Sequence, residues 1–165
     1  MKKLAIGLLA CCALLQVRAD ELTWLTDLPK AQAQAKAENK LVFLDFTGSD
    51  WCVWCKKLHA EVFSTPEFQD YARKNLVLVT VDFPHETKLS AEQTKANKAL
   101  GEKYGIKGYP TLIVLNGDGK KVGELSYADG MTADDKKEFQ TNHKTPTAKP
   151  AVFIAAVDKA KGKAE

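Results

Sequence analysis

Three apolar runs constrain the fold of this chain more than any other feature of its sequence. Residues 41–46, 76–83 and 111–115 are almost continuously apolar and rich in valine, leucine and phenylalanine. Runs of this length without polar alternation are typical of strands that are buried on both faces of a sheet. The turn sequence Asn-Gly-Asp-Gly at 116–119 predicts that the third run forms an antiparallel hairpin with residues 121–126.

Helix signals occupy the segments between these runs. Residues 27–39 carry four alanines and end at an asparagine, and capping boxes at 64–67 and 90–93 mark two further helix starts. A fourth helix is expected after the turn at 47–50, with Asp50 as its cap. One side of that helix carries Cys52, Cys55, Leu58 and Val62. The order α-β-α-α-β-α-β-β predicts a single α/β domain.

The remainder of the chain divides into a core and a tail. We expect a core over residues 20–128, followed by a polar loop insertion at 129–149 that holds one helical turn near 134–139. From residue 150, apolar positions recur at helical spacing, which predicts that residues 150–165 form a C-terminal helix and a frayed tail.

The first 19 residues have the layout of a secretory signal peptide. Two lysines precede an apolar stretch at residues 4–17, and Ala19 supplies a small residue at the expected cleavage point. The stretch is short for a membrane span, although a permanent anchor is the alternative. A second alternative is a lipoprotein anchored at Cys11, because Leu-Leu-Ala-Cys loosely resembles a lipobox. We therefore expect a periplasmic or secreted protein.

Removal of residues 1–19 changes the charge and the thiol content of the chain. Without Lys2, Lys3 and Arg18, the 24 basic residues fall to 21, which equals the 21 acidic residues. A neutral chain gives no support for a nucleic-acid partner. Cys52 and Cys55 are then the remaining cysteines.

The spacing of Cys52 and Cys55 indicates chemistry rather than stabilisation. A disulfide that closes so short a loop constrains the unfolded chain very little. Cys52 near a helix N-terminus is favoured as a thiolate, so we predict that it is the nucleophile and that Cys55 is the resolving thiol. Half of a zinc site has the same spacing, and His59 leaves a three-ligand site conceivable, but we read His59 as a helix-surface residue.

Two motifs carry a family resemblance. Residues 42–46 followed by Trp-Cys-Val-Trp-Cys-Lys at 51–56 resemble the active-site segment of the thioredoxin superfamily, and Gly-Tyr-Pro-Thr at 108–111 resembles its cis-proline loop. The continuation at 62–68 is similar to the thioredoxin-like C-terminal domain of the bacterial disulfide interchange reductase DsbD. The resemblance covers roughly residues 22–128 and implies a thioredoxin fold, with a central mixed sheet flanked by helices.

The resemblance also implies roles for four further residues. Pro110 is expected to be cis and to lie against the cysteines, with the backbone of Tyr109 presented to an extended substrate. Asp45 matches the buried acid behind the pair, with a raised pKa and a proton to exchange with Cys55. Trp51 is expected to shield the site and contact substrate. The Val-Trp dipeptide between the cysteines, where thioredoxin has Gly-Pro, departs from the family pattern.

These features predict a thiol–disulfide oxidoreductase of the protein-disulfide reductase type. We expect it to reduce disulfides of exported client proteins and to be regenerated by a membrane or soluble redox partner. The same residues would serve a thiol oxidase or isomerase, so the direction stays open at this point. A binding module without turnover and a metal carrier are alternatives. We expect no cofactor, no metal, disulfide-bearing or dithiol clients, and a monomer.

Overall fold

The computed structural model describes residues 22–142 and 145–162. The predictions for the signal peptide and for Cys11 lie outside these residues. Five strands form one mixed sheet in the order β1-β3-β2-β4-β5. Their bounds are β1 Trp24–Leu25, β2 Leu41–Thr47, β3 Leu76–Asp82, β4 Thr111–Leu115 and β5 Lys121–Ser126.

Strand β2 is the centre of the sheet, and all seven of its residues are buried. It pairs parallel with β3 and antiparallel with β4. This follows from the apolar runs of the sequence, since a strand with helices on both faces has no side on which to place polar groups. The predicted hairpin of β4 and β5 is also present.

In the described residues, six α-helices flank the sheet. Their bounds are α1 Leu28–Glu38, α2 Val53–Leu58, α3 Pro66–Asn75, α4 Ala91–Tyr104, α5 Ala133–Asn142 and α6 Pro150–Lys161. A π-helical turn, His59–Phe63, extends α2, and a 3₁₀ turn, Tyr127–Gly130, follows β5. Within the described ranges, none of these helices is long and apolar enough to cross a bilayer.

Each face of the sheet has its own apolar core. One core lies under the helix that follows the cysteines, α3 and α6, and centres on the rings of Phe43, Phe68 and Phe153. The other lies under α1 and α4 and contains Ala31 and Phe46. The predicted mixed sheet flanked by helices, in a single thioredoxin-like domain, is therefore confirmed.

The prediction that Asp50 caps the helix of the cysteines is wrong. Cys52 is the N-cap of α2, and its Sγ accepts a hydrogen bond from the Cys55 N–H at 3.2 Å. The Asp50 carboxylate instead accepts from backbone N–H groups of the loop after β3. A distant loop therefore competes successfully for a carboxylate that local sequence assigns to the helix.

The segment at 129–149 contains more helix than the single turn that we expected. Helix α5 spans ten residues and begins with a reciprocal cap between Thr132 and Asp135. The Thr132 Oγ1 accepts from the Asp135 N–H at 3.2 Å, and the Asp135 carboxylate accepts from the Thr132 N–H at 3.1 Å. The pattern Thr-x-x-Asp at 132–135 is a helix start that the sequence contained. The division into core and insertion stays a prediction.

Candidate functional site

Cys52 and Cys55 form a disulfide at the junction between β2 and α2, with their Cα atoms 5.3 Å apart. Both are buried, at 5% and 6% exposure. The Cys52 N–H donates to the Gly48 carbonyl at 2.8 Å, which folds the turn after β2 back on itself. The turn therefore delivers Cys52 directly to the start of the helix, where unpaired N–H groups favour a negative charge.

The strand register brings Tyr109 and Pro110 to the same end of the sheet. The first residue of β4, Thr111, pairs with Phe46 near the end of β2. The Tyr109–Pro110 peptide bond is cis, and Pro110 is buried while Tyr109 is partly buried. The segment that leads into β4 thus lies beside the turn that carries the cysteines, as the pairing of β2 and β4 requires.

Asp45 lies in the middle of β2, where its neighbours in the sheet are Thr80 and Leu112. It lines a cavity of about 440 Å³ together with Cys55 and His59. Its Oδ1 has no hydrogen-bond partner among the described residues. Burial, reinforced by the nearby charge of Asp82, raises the pKa of Asp45 to about 7. This carboxyl group can exchange a proton close to neutral pH.

Trp51 is held in place from several sides. Its indole Nε1–H donates to the carbonyl of Phe83 at 2.8 Å, its ring stacks on His85 at 4.5 Å, and its edge meets Tyr109 at 5.8 Å. A Cβ at Gly48 would lie 2.4 Å from the indole, so only glycine fits beneath this ring. Trp51 is thereby fixed between the turn of the cysteines and the loop after β3.

The loop after β3 is fastened to the same turn by Asp50. Its carboxylate accepts from the N–H groups of His85, Glu86 and Thr87 at 2.8–3.0 Å. These hydrogen bonds, led by that from His85, lower the pKa of Asp50 to about 2. Asp82 strengthens the arrangement by accepting from the Ser49 N–H at 2.9 Å. Both carboxylates position the turn.

An apolar groove is bordered by Trp54, which lies between the two cysteines in the chain. Its ring contacts Tyr127 at 4.9 Å and Phe139 of α5 at 6.4 Å. The groove has a volume of about 470 Å³. It is lined by Trp54, Tyr109, Pro110, Ser126, Tyr127, Ala128, Met131, Lys136, Phe139, Gln140 and Pro146. Sequence reasoning missed Tyr127 and Phe139, because their place beside the cysteines depends on long-range packing.

Glu61 ties this side of the groove to the helix of the cysteines. Its carboxylate accepts from the Tyr127 hydroxyl at 2.6 Å and from the Ala148 N–H at 2.8 Å, and it pairs with Lys57. Burial raises the pKa of Glu61, but these hydrogen bonds outweigh burial and hold it below its ordinary value. Sequence reasoning also missed Glu61, which lies on the π-helical turn, a distortion frequent at functional sites.

His59 is exposed on the π-helical turn, and its Nδ1 lies 3.0 Å from the Ser64 Oγ. No cluster of three or more histidine, cysteine, aspartate or glutamate side chains suited to a metal ion occurs in the described part of the chain. The interpretation of His59 as a helix-surface residue agrees with its exposure.

Comparison with known proteins gives consistent matches. Residues 28–135 match the family model of the thioredoxin-like domain. The chain is 33% identical over 114 residues to disulfide bond reductase DsbH of Chlamydia pneumoniae. The aligned region covers 69% of this chain and 68% of DsbH. The chain is also 37% identical over 102 residues to thiol:disulfide interchange protein DsbD of Klebsiella pneumoniae, covering 62% of this chain and 16% of DsbD.

A solved structure supports the same relationship. A DsbH oxidoreductase superposes with a TM-score of 0.69 and 29% sequence identity, and the match covers 89% of this chain and 91% of that one. The chain therefore spans most of DsbH but about a sixth of DsbD. The resemblance predicted from the two motifs is confirmed.

Proposed function

Because the chain belongs to the thioredoxin-like family, we propose that it is a thiol–disulfide oxidoreductase that reduces disulfides in client proteins. The observation that carries this proposal is the Cys52–Cys55 disulfide at the start of α2. The name of one relative, disulfide bond reductase, favours reduction over oxidation, and the name of the other, thiol:disulfide interchange protein, supports disulfide exchange. The intact pair argues against a binding module without turnover.

In the first step the reduced enzyme attacks the client. The Cys52 thiolate bonds to one sulfur of the client disulfide, and the second client sulfur leaves as a thiolate that takes a proton from solvent. The N-terminus of α2 and the N–H of Cys55, 3.2 Å from the Cys52 Sγ, stabilise the attacking thiolate. The product is a mixed disulfide between Cys52 and the client.

In the second step Cys55 releases the client. Its thiol gives a proton to Asp45, which borders the same cavity, and the resulting thiolate attacks the Cys52 Sγ. The Cys52–Cys55 disulfide forms, and the first client sulfur leaves as a thiolate that is then protonated. Two electrons have passed from the enzyme dithiol to the client, and a dithiol donor must return them to complete the cycle.

The client is held by the segment before β4 and by the ring of Trp51. Tyr109 and Pro110 present backbone beside the cysteines, and Trp51 is fixed against them by Phe83 and His85. We further propose that the protein acts as a monomer in the periplasm or after secretion, following cleavage near Ala19 or, alternatively, lipidation at Cys11. A membrane or soluble redox partner would then supply the dithiol.

Reduction of insulin disulfides by the protein with a thiol donor tests the proposal. Wild type should catalyse the reduction, and Cys52→Ser should lose at least a thousandfold in rate because no nucleophile remains. Cys55→Ser should instead accumulate a mixed disulfide that is visible by non-reducing electrophoresis. Equal rates for wild type and Cys52→Ser would overturn the enzyme assignment.

The equilibrium potential of the pair against glutathione tests the direction of transfer. A reductase is expected to lie toward the value of thioredoxin, about −270 mV. A value near that of the strong oxidant DsbA, about −120 mV, would overturn reduction and favour oxidation of client thiols.

A further inference from the structure

Large apolar side chains are exposed in one region of the described chain. Trp51, Val53, Trp54 and Phe139 are the exposed large hydrophobic residues there, at 39%, 71%, 37% and 40%. Three of them adjoin the two cysteines in sequence, and the fourth contacts Trp54. Exposed apolar groups gathered in this way mark a surface that binds another molecule.

Helix α5 contributes to this surface and to neither apolar core. None of its ten residues, all of them described, is buried. Phe139 is its one large apolar residue, and that ring is directed at Trp54 rather than into the protein. A polar helix without a buried face gains little from packing. The ring of Phe139 joins this helix to Trp54 at the groove, and Asp135 joins it to Lys149 by an ion pair at 3.1 Å.

The groove lies beside the path that a client polypeptide takes to Cys52, and this position indicates its occupant. Tyr109 and Pro110 line the groove and also flank the cysteines, so a polypeptide that brings its sulfur to Cys52 passes along the groove entrance. The walls are mostly apolar, and among the described residues that line the groove Lys136 is the charged one. This composition fits a bulky apolar side chain and disfavours one with a positive charge.

We propose that the groove between Trp54 and α5 is a specificity pocket for client polypeptides that carry a bulky apolar residue close to the attacked cysteine. Trp54, Tyr127 and Phe139 form the aromatic walls of the pocket. Glu61 holds its far side, through Tyr127 and Ala148, at a fixed position relative to the cysteines. This inference rests on the proposed reductase activity and names the class of substrate.

The test compares reduction rates for disulfide-linked dimers of short peptides. The parent peptide has glycine at the position before its cysteine and at the position after it. A set of variants places phenylalanine or lysine at each of these two positions in turn. At one position or more, phenylalanine should raise kcat/KM about tenfold over glycine, since partial burial of its ring in an open groove corresponds to roughly that factor. Lysine should give no such gain.

Variants of α5 assign the preference to the groove. The preference is the kcat/KM of the phenylalanine peptide divided by that of the glycine peptide. Phe139→Ala should reduce this ratio from about ten to below three, and Phe139→Leu should restore most of the preference. Lys137→Ala is the matched control, because Lys137 is exposed on the same helix and does not line the groove. That control should keep the ratio of wild type.

The outcomes separate the two proposals. If wild type reduces the glycine peptide but prefers no phenylalanine peptide, or if Phe139→Ala keeps the preference, the specificity pocket is overturned and the reductase stands. If wild type and Cys52→Ser act equally on the glycine peptide, the proposed function itself fails. Circular dichroism of each variant shows whether the fold is intact.

Discussion

Asp45 lies in the middle of β2, and Asp50 lies in the turn between β2 and the redox helix, which is α2 with its π-helical turn. The surroundings of the two carboxyl groups differ. Asp45 is buried in β2, and its Oδ1 has no partner among the described residues. Asp50 accepts three backbone hydrogen bonds from the loop after β3. The pKa is raised to about 7 for Asp45 and lowered to about 2 for Asp50.

This difference agrees with the roles that we propose, in which Asp45 exchanges a proton with Cys55 and Asp50 holds the loop after β3. Three N–H donors stabilise the charged form of Asp50, which therefore stays ionised and fixes the loop at neutral pH. A buried carboxyl with an unpartnered oxygen costs folding free energy, because native proteins satisfy nearly all such groups. In the mechanism that we propose, this cost is tied to function, because Asp45 accepts the proton of Cys55.

The largest expected effect comes from Asp45→Asn. At pH 8 the second step, release of the mixed disulfide, should slow about tenfold or more because Asn accepts no proton from Cys55. In wild type this step should accelerate as pH rises through about 7, the pKa of Asp45. The variant should lose that inflection. Stopped-flow kinetics of client release between pH 5 and 9 measures both effects.

The same variant should be more stable than wild type at high pH. The raised pKa means that folded Asp45 keeps its proton where the unfolded chain has lost it, so stability falls as pH rises from about 4 to about 7. Asn removes that penalty, which reaches about 4 kcal/mol at pH 8. Urea unfolding at pH 5 and pH 8 measures the gain. A loss of stability at both values would show that Asp45 is structural, like Asp50.

Gly48→Ala sharpens the comparison at the turn between the two carboxylates. An added Cβ would lie 2.4 Å from the Trp51 indole, so the ring must leave its hydrogen bond with Phe83. We expect a loss of about 2 kcal/mol in unfolding free energy, measured by urea denaturation. Gly108→Ala is the control, because a Cβ there meets nothing within 4 Å. If Gly48→Ala and Gly108→Ala lose the same unfolding free energy, the inference that Trp51 is rigidly fixed above Gly48 is wrong.

Asp50→Ala should produce a smaller and more local change. Without the carboxylate, the N–H groups of His85, Glu86 and Thr87 lose their acceptor, and their hydrogen exchange should accelerate. In wild type the protection of these N–H groups, measured against the intrinsic exchange rate at each pH, should fall as pH approaches 2, where Asp50 becomes protonated. Asp134→Ala on α5 is the control. If hydrogen exchange at residues 85–87 is unchanged in Asp50→Ala, Asp50 does not hold this loop.

The smallest effect is expected for His85→Ala. The imidazole stacks on Trp51 at 4.5 Å with an angle of 6° between the rings, in an exposed position. Such a pair contributes about 0.5 kcal/mol or slightly more. Thermal unfolding should therefore shift by a few degrees at most. A loss larger than that of Gly48→Ala would mean that the loop, rather than the turn, fixes Trp51.

Local patterns account for the parts of the molecule that the sequence predicted. The apolar runs of β2, β3 and β4 specify buried strands, and the position of Cys52 and Cys55 after β2 specifies the start of the redox helix. These features depend on residues that are neighbours in the chain. The pairing of β2 with β3 and with β4 joins distant segments, and these local patterns do not specify it.

The features that escaped prediction depend on contacts between distant segments. The Asp50 carboxylate can accept hydrogen bonds either from the N–H groups at a helix start or from those of a distant loop. The sequence alone does not decide between these two sets of donors. The places of Glu61 and Phe139 follow from how the segment after β5 folds back onto the redox helix. Helix α5 differs, since the reciprocal cap of Thr132 and Asp135 was readable from the chain.

The two edges of the sheet bear on how other chains associate with this protein. One edge strand, β1, has two residues, so it offers little backbone for pairing. The other, β5, pairs irregularly with β4 at Val114 and Leu115, and it exposes an ion pair of Lys121 and Glu124. Short, irregular and charged edges resist strand addition. The protein can therefore expose apolar rings beside its cysteines while its sheet remains a poor template for edge-to-edge aggregation with unfolded clients.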